Sequence, residues 1–211
     1  MKIFLTGGSS GIGLATKNLL TQLGHQVDAP PRKDFDLADF VVIDKLDLSS
    51  YDAVINCAGA NSGAYLGWHH NTWQNQCNHV SVNFTGPLLL AKQYTRQRDS
   101  GQFVYVTTTS ADDPMSYTIF MVGSKVALRS SLTAVQRDYP NFVFTEIVPG
   151  KTRTNMLRQN YQGTKTDKEI EQMYQQTPCL TAEQVAEVIV DAINQRVARV
   201  TISTSDANPI K

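Results

Sequence analysis

Short apolar runs that stop at glycine or a small polar residue alternate along this chain with longer stretches whose apolar positions recur every three to four residues. Ile3-Phe4-Leu5 is a run of the first kind and reads as a parallel strand buried on both faces. After Gly13, the residues Leu14, Ala15, Leu19 and Leu23 follow at helical spacing, and Gly24 closes that helix. A second strand is predicted near Gln26 to Ala29, and Pro30-Pro31 breaks the chain behind it. Phe35-Asp36-Leu37 reads as a brief strand and Phe40 to Leu46 as a small helix. The next strand is Ala53 to Asn56. A polar loop from Ala60 to Asn71 then leads into a helix from about Thr72 to Gln97.

Phe103 to Val106 is the following strand, and Val122 to Tyr139 a helix whose apolar face is Val122, Val126, Leu128, Leu132 and Val135. Phe142 to Val148 is a strand ending at Pro149-Gly150, Ala182 to Asn194 an amphipathic helix, and Val197 to Ile202 the last strand. This order implies an α/β fold of the Rossmann type, a doubly wound parallel sheet between two helical layers. No repeat, low-complexity tract or linker interrupts it, so residues 1–211 read as one domain, with the polar stretch 151–178 as a substrate lid. In such sheets ligands sit outside the carboxyl ends of the strands, where strand order reverses. The glycine-rich segment after Leu5, the segments Cys57-Ala58-Gly59 and Thr107 to Ser110, and Pro149-Gly150 all follow strands and should share one rim.

Composition narrows the classes of function. With 19 basic and 19 acidic residues the formal charge is zero, which argues against a nucleic-acid partner. No apolar run reaches about 18 residues and no charged segment leads into a signal-peptide core, so no membrane span is expected. Cys57, Cys77 and Cys179 are too few and too odd for a disulfide framework, and a cytoplasmic setting follows by default.

The segment Thr6-Gly7-Gly8-Ser9-Ser10-Gly11-Ile12-Gly13 lies between a strand and a helix. Glycines there permit a tight turn, close approach of a pyrophosphate and close helix–strand packing, while the helix offers unpaired N–H groups to the anion. This segment resembles the cofactor loop of the short-chain dehydrogenase/reductase family. Four further segments resemble that family in the same order: Asn56-Cys57-Ala58-Gly59, with cysteine at its second position; Asn83 in Val82-Asn83-Phe84-Thr85-Gly86; Gly123-Ser124-Lys125-Val126-Ala127-Leu128; and Pro149-Gly150-Lys151-Thr152-Arg153-Thr154. The resemblance covers nearly the whole chain. It implies an NAD(P)-binding oxidoreductase whose coenzyme meets Gly7, Ser9, Ser10, Gly11, Ile12, Gly13, Asn56, Ala58, Gly59, Lys125, Pro149, Gly150, Thr152 and Thr154. It leaves the small-molecule substrate open.

NAD-specific members carry an acid at the end of the second strand for the ribose 2′-OH. That position falls on Pro31, followed by Arg32 and Lys33, which suit a 2′-phosphate. NADP(H) is therefore expected over NAD(H), with Asp36-Leu37 resembling the family's adenine-contacting pair.

The family reduces carbonyls with a Tyr-x-x-x-Lys pair, a serine and an asparagine. Here Lys125 is present, but four residues earlier stands Met121, whose thioether has no proton to give. The serine position falls on Thr108, and Asn83 is in place. Tyr117, eight residues before Lys125, is the candidate acid; enoyl-thioester reductases of this family also place their tyrosine further upstream, at a spacing one residue shorter. Water or Thr108 could relay the proton instead, with a rate loss of about 10²–10⁴-fold. The alternative is a protein that binds NADP(H) without turnover and acts as a regulator or sensor.

His69, His70, Cys77 and His79 lie close in sequence but match no zinc spacing, so no metal is expected. His69, His70 and Trp68 occupy a loop that borders the substrate mouth in this fold, or are plain surface. Trp73, Cys77 and Val80 share a helix face that reads as core packing, or as a subunit interface of the homodimer or homotetramer the resemblance implies. No Gly-x-Ser-x-Gly elbow of a serine hydrolase occurs.

Overall fold

The computed structural model describes residues 1–62, 69–114, 118–161 and 165–203. Six parallel strands form one sheet: β1 (Lys2–Thr6), β2 (Gln26–Asp28), β3 (Ala53–Asn56), β4 (Gly101–Val106), β5 (Phe142–Pro149) and β6 (Arg199–Ile202). Their order is β2-β1-β3-β4-β5-β6, so the chain winds outward in one direction to β2 and then reverses past β1 into β3. The register Leu5↔Ile55 and Thr6↔Asn56 brings the ends of β1 and β3 level at that reversal.

The strand alternation builds two cores. Ile3, Leu5, Ile55, Val104 and Ile147 point to one face, where α1 (Gly11–Gln22) and α8 (Ala182–Gln195) pack with Leu20, Val185, Ile189 and Ile193. Phe4, Val54, Phe103, Tyr105 and Phe144 point to the other, against Leu90 and Tyr94 of α4 (Gly86–Gln97) and Leu128 and Leu132 of α5 (Ile119–Asp138). This is a three-layer α/β/α Rossmann-type fold in which every central strand is buried on both faces.

Phe35-Asp36-Leu37 is not a strand. The amides of Asp34 and Phe35 both turn back onto the carbonyl of Pro31, and the Asp36 carboxylate accepts from the Ala38 amide. Phe35 and Leu37 are buried all the same, with the Leu37 carbonyl lying where a Cβ on Gly86 would stand, 2.2 Å away. The small helix behind it, α2 (Phe40–Asp44), is capped by Asp39.

The predicted helix from Thr72 to Gln97 is interrupted. It comprises α3 (Trp73–Val80), a π-helical turn over Ser81–Thr85, and α4. Pro87 has no N–H to give the Asn83 carbonyl four residues before it, and the Gly86 amide donates instead to Ser81, five residues back. The extra residue turns Asn83 inward, where it is buried.

The polar stretch 151–178 contains two helices, α6 (Asn155–Asn160) and α7 (Asp167–Gln176), the second started by a Thr166/Glu169 capping box. Arg158 of α6 pairs with Asp167 and Glu171 of α7. Among the described residues, no helix is long and apolar enough to cross a membrane.

Candidate active site

A cleft of about 300 Å³ opens at the strand reversal, floored by Thr6, Gly7, Ser9, Ser10, Gly11, Ile12 and Gly13. Gly7 and Gly11 have φ of +77° and +53°, a left-handed backbone that suits glycine. Gly13 lies so close to the loop that a Cβ there would sit 2.2 Å from the Gly7 carbonyl oxygen. Ser10 precedes α1 in the N-cap position but makes no side-chain capping bond, and the first turn holds no acid. The leading amides of α1 are therefore not satisfied by the cap and point toward the cleft, a donor set that fits a diphosphate.

The end of the cleft beside β2 is lined by Pro30, Arg32, Phe35, Asp36 and Leu37. Arg32 Nε donates to Asp36 Oδ2 at 2.9 Å. Burial pushes the Asp36 carboxyl up, but the Ala38 amide and Arg32 guanidinium outweigh it and hold the carboxyl below its ordinary range. Asp28, the acid nearest the end of β2, accepts a 2.7 Å bond from the Tyr51 hydroxyl. Burial and that bond push the Tyr51 phenol up to about 12, so it remains a donor at neutral pH.

The third wall is α6: Thr154, Asn155, Met156 and Gln159 line the cleft. Asn61 Nδ2 donates to the Met156 carbonyl at 3.3 Å and holds this wall to the loop after β3. Met156 falls in the polar stretch expected only to form a lid. No periodicity in a six-residue helix marks it as a cleft wall.

At the far end three side chains converge on Gly59. A Cβ there would stand 3.3 Å from Asn83 Oδ1, 3.6 Å from Met156 Cε and 3.9 Å from Lys125 Nζ. Asn83 holds the main chain of Ala60 with both ends of its amide, each at 2.7 Å. Lys125 Nζ donates to the Val106 carbonyl at 2.8 Å. Burial lowers the Lys125 ammonium to about 8, opposed by the Glu146 carboxylate. Burial pushes the Cys57 thiol up to about 12, so it is a neutral neighbour.

Thr108 follows β4 and its hydroxyl accepts from the Ser110 amide at 3.3 Å, which leaves its own proton to donate. Met121 and Lys125 share one face of α5 at i, i+4 spacing. The helix begins at Ile119, three residues before the predicted start. Tyr117 and Trp68 lie outside the described residues.

Of the predicted coenzyme residues, Gly7, Ser9, Ser10, Gly11, Ile12, Gly13, Arg32, Asp36, Leu37, Ala58, Gly59 and Thr154 line the cleft. Asn56 does not: it is buried, accepting from the Thr6 hydroxyl at 2.6 Å, and ties β1 to β3 beneath the cleft. Pro149 and Gly150 end β5, where the Gly150 amide donates to Ile202. Thr152 bonds back to the Gly150 carbonyl. Cys57 lines the cleft with its segment, as the rim placement of Cys57-Ala58-Gly59 implies, and Pro30, Phe35 and Val82 line it although the sequence pattern assigns them no coenzyme role. His79 is fully buried and Cys77 exposed, on opposite sides of α3. Trp73 is 71% exposed and Val80 is also on the surface, so that face is not core. Among the described residues no group of three or more metal-ligating side chains comes together.

The model of short chain dehydrogenases matches residues 40–165, more than half of the chain. This protein belongs to the short-chain dehydrogenase family. The phosphate loop precedes the matched span, so its geometry is an independent observation. Uncharacterized oxidoreductases of Mycobacterium tuberculosis and Mycobacterium bovis are 25% identical over 232 aligned positions, which cover 93% of this short-chain dehydrogenase and 65% of theirs. The chain thus spans about two thirds of the length of these curated relatives. Among solved structures, a small-chain dehydrogenase in complex with NADPH superposes with a TM-score of 0.84 at 18% identity, covering 97% of each chain. A serine dehydrogenase complexed with NADP+ gives 0.83 at 20% identity, over 100% of this chain and 98% of that one. Aldohexose dehydrogenase of Thermoplasma acidophilum gives 0.82 at 18% identity, over 100% and 96%. These likenesses establish the shared fold.

Proposed function

We propose that this chain is an NADP(H)-dependent oxidoreductase acting on a small carbonyl or enone. The observation that carries the reading is one cleft with phosphate-loop glycines on its floor and Gly59, Asn83 and Lys125 gathered at its far end. The uncapped start of α1 would hold the diphosphate, and Lys125 the nicotinamide ribose. When bound, the coenzyme supplies hydride exchange with the acceptor carbon.

The 2′-phosphate preference rests on three residues. Asp28 is engaged by Tyr51, Pro31 stands where an acid would be needed, and Arg32 lines the cleft. The solved relatives bound to NADPH and NADP+ lend support. Thr108 donates its hydroxyl proton to the carbonyl oxygen and so polarises it. Asn83 fixes the Ala60 backbone beside Lys125. Tyr117, two residues before α5, gives the proton that Met121 cannot. The segment 151–178 acts as the substrate lid, and Trp73, Val80 and Ile119 are exposed apolar side chains that suit the contacts of a homodimer or homotetramer.

Met121 favours a second reading, a coenzyme-binding regulator without turnover. NADPH oxidation against a panel of carbonyls and enones separates the two. The enzyme reading expects turnover that Lys125→Met and Tyr117→Phe each reduce by about 10²-fold or more. Tight coenzyme binding with background turnover that only Met121→Tyr raises would refute it.

A further inference from the structure

Behind the reacting end of the cleft lies a charge cluster that the proposed reaction does not use. Glu146 on β5 is 2% exposed, the one charged residue of that strand. Its Oε1 accepts from the Thr107 hydroxyl at 2.7 Å. Its Oε2 lies 3.1 Å from Arg199 Nε of β6, and Arg129 of α5 stands 3.9 Å from Oε1. Both arginines also pair with Asp112. Arg129 further donates to the Ala111 carbonyl at 3.2 Å.

These bonds grip one segment at both ends. The turn Thr109–Ala111 is held at Thr107 by Glu146 and at Ala111 and Asp112 by the two arginines, with Thr108 between. Val106, which receives Lys125, immediately precedes it. Arg129 lies one turn after Lys125 on the same face of α5. A buried carboxylate is costly unless paired and hydrogen-bonded, and Glu146 is both.

We propose that Glu146, with Arg129, Arg199 and Asp112, is a positioning device that holds the Thr108 turn in register with Lys125 and supplies the negative field opposite its ammonium. This rests on the reading of Thr108 and Lys125 as the reacting-end residues. Among the described residues, the charged or titratable groups around Lys125 are Cys57 from the end of β3, Glu146 from β5 and Arg129 from its own helix, with Asp112, Arg199 and the Tyr105 phenol of β4, which burial keeps protonated, around Glu146. The π-helical turn presents neutral Asn83, and α3 carries His79, which burial keeps toward its uncharged form. Loss of Glu146 leaves two guanidinium groups against one carboxylate, Asp112, and so a net positive charge on this side of the ammonium.

The test is pH-dependent acetylation of Lys125 in the intact protein, quantified by mass spectrometry, alongside an NADPH titration. Glu146→Gln is expected to move the Lys125 midpoint down by up to about one pH unit. Arg199→Gln, at the exposed rim, is expected to move it up, which covers the case in which the buried variant fails to fold. Glu146→Asp, which keeps the charge, should restore most of the midpoint. Midpoints unchanged in folded variants that still bind NADPH would overturn the proposal and leave the coenzyme reading standing. Shifted midpoints in a protein that binds no NADPH would refute the coenzyme reading instead.

Discussion

Replacing Gly13 by alanine sets two known effects against each other in one residue. Gly13 is the third residue of α1, and alanine in a helix is worth about 1 kcal/mol over glycine. Against that, the new Cβ would meet Gly7 O at 2.2 Å, Gly7 C at 2.7 Å and Cys57 Cβ at 3.1 Å. The nearest of these atoms are backbone, so no rotamer change relieves them, and overpacking of this kind costs about 1–3 kcal/mol or more. The clash wins, by roughly 2 kcal/mol at the upper end of that range. At about 2–4 °C per kcal/mol for a chain this size, the melting temperature should fall by about 4–8 °C. The phosphate loop must also shift. Loss of one charge-assisted amide bond, about 1.5–3 kcal/mol, weakens NADPH binding by roughly tenfold or more. Gly123→Ala is the matched control: it lies in α5, is exposed, and has nothing within 4 Å of its would-be Cβ. It should raise the melting temperature by about 2–4 °C and leave NADPH affinity alone. Thermal melts and fluorescence titrations of the two variants read both effects. A Gly13→Ala protein that is stabilised like Gly123→Ala and binds NADPH as well as the parent would refute the reasoning.

Other residues give equally sharp outcomes. If Arg32 is the 2′-phosphate partner proposed above, Arg32→Ala should weaken NADPH by about tenfold or more while leaving NADH unchanged; equal losses for both would remove Arg32 as the discriminating residue. His79 is fully buried and neither ring nitrogen makes a hydrogen bond of normal geometry; burial lowers its proton affinity, partly offset by the Asn61 and Ser62 backbone. The unfolded chain then binds the proton more readily. Stability should fall as pH drops below about 6.5. His79→Leu should flatten the melting temperature between about pH 6.5 and 5, and an unchanged slope there would show that His79 is not the group responsible.

The central strands and the phosphate loop were legible because their signals are local. Apolar runs ending at glycine specify buried parallel strands, and glycines between strand and helix specify the turn. Features set by contacts distant in sequence were not legible. Phe35-Asp36-Leu37 has strand-like residues, yet the Pro31 carbonyl and the missing Cβ of Gly86 decide its path. The π-helical turn could have been suspected from Pro87, four residues after Asn83. Trp73 and Val80 had helical spacing that looked like core, but periodicity does not say what a face meets, and theirs is exposed. Glu146 offered a usable signal, a lone acid in Phe-Thr-Glu-Ile-Val-Pro, but its arginine partners are 17 and 53 positions away.

Isothermal calorimetry with NADPH, NADP+, NADH and NAD+ on the unmodified protein addresses the coenzyme cleft most directly. Saturable heat at one site per chain is expected, with the 2′-phosphorylated pair binding at least about tenfold more tightly. Absence of heat with all four, in a protein that melts cooperatively, would contradict the account.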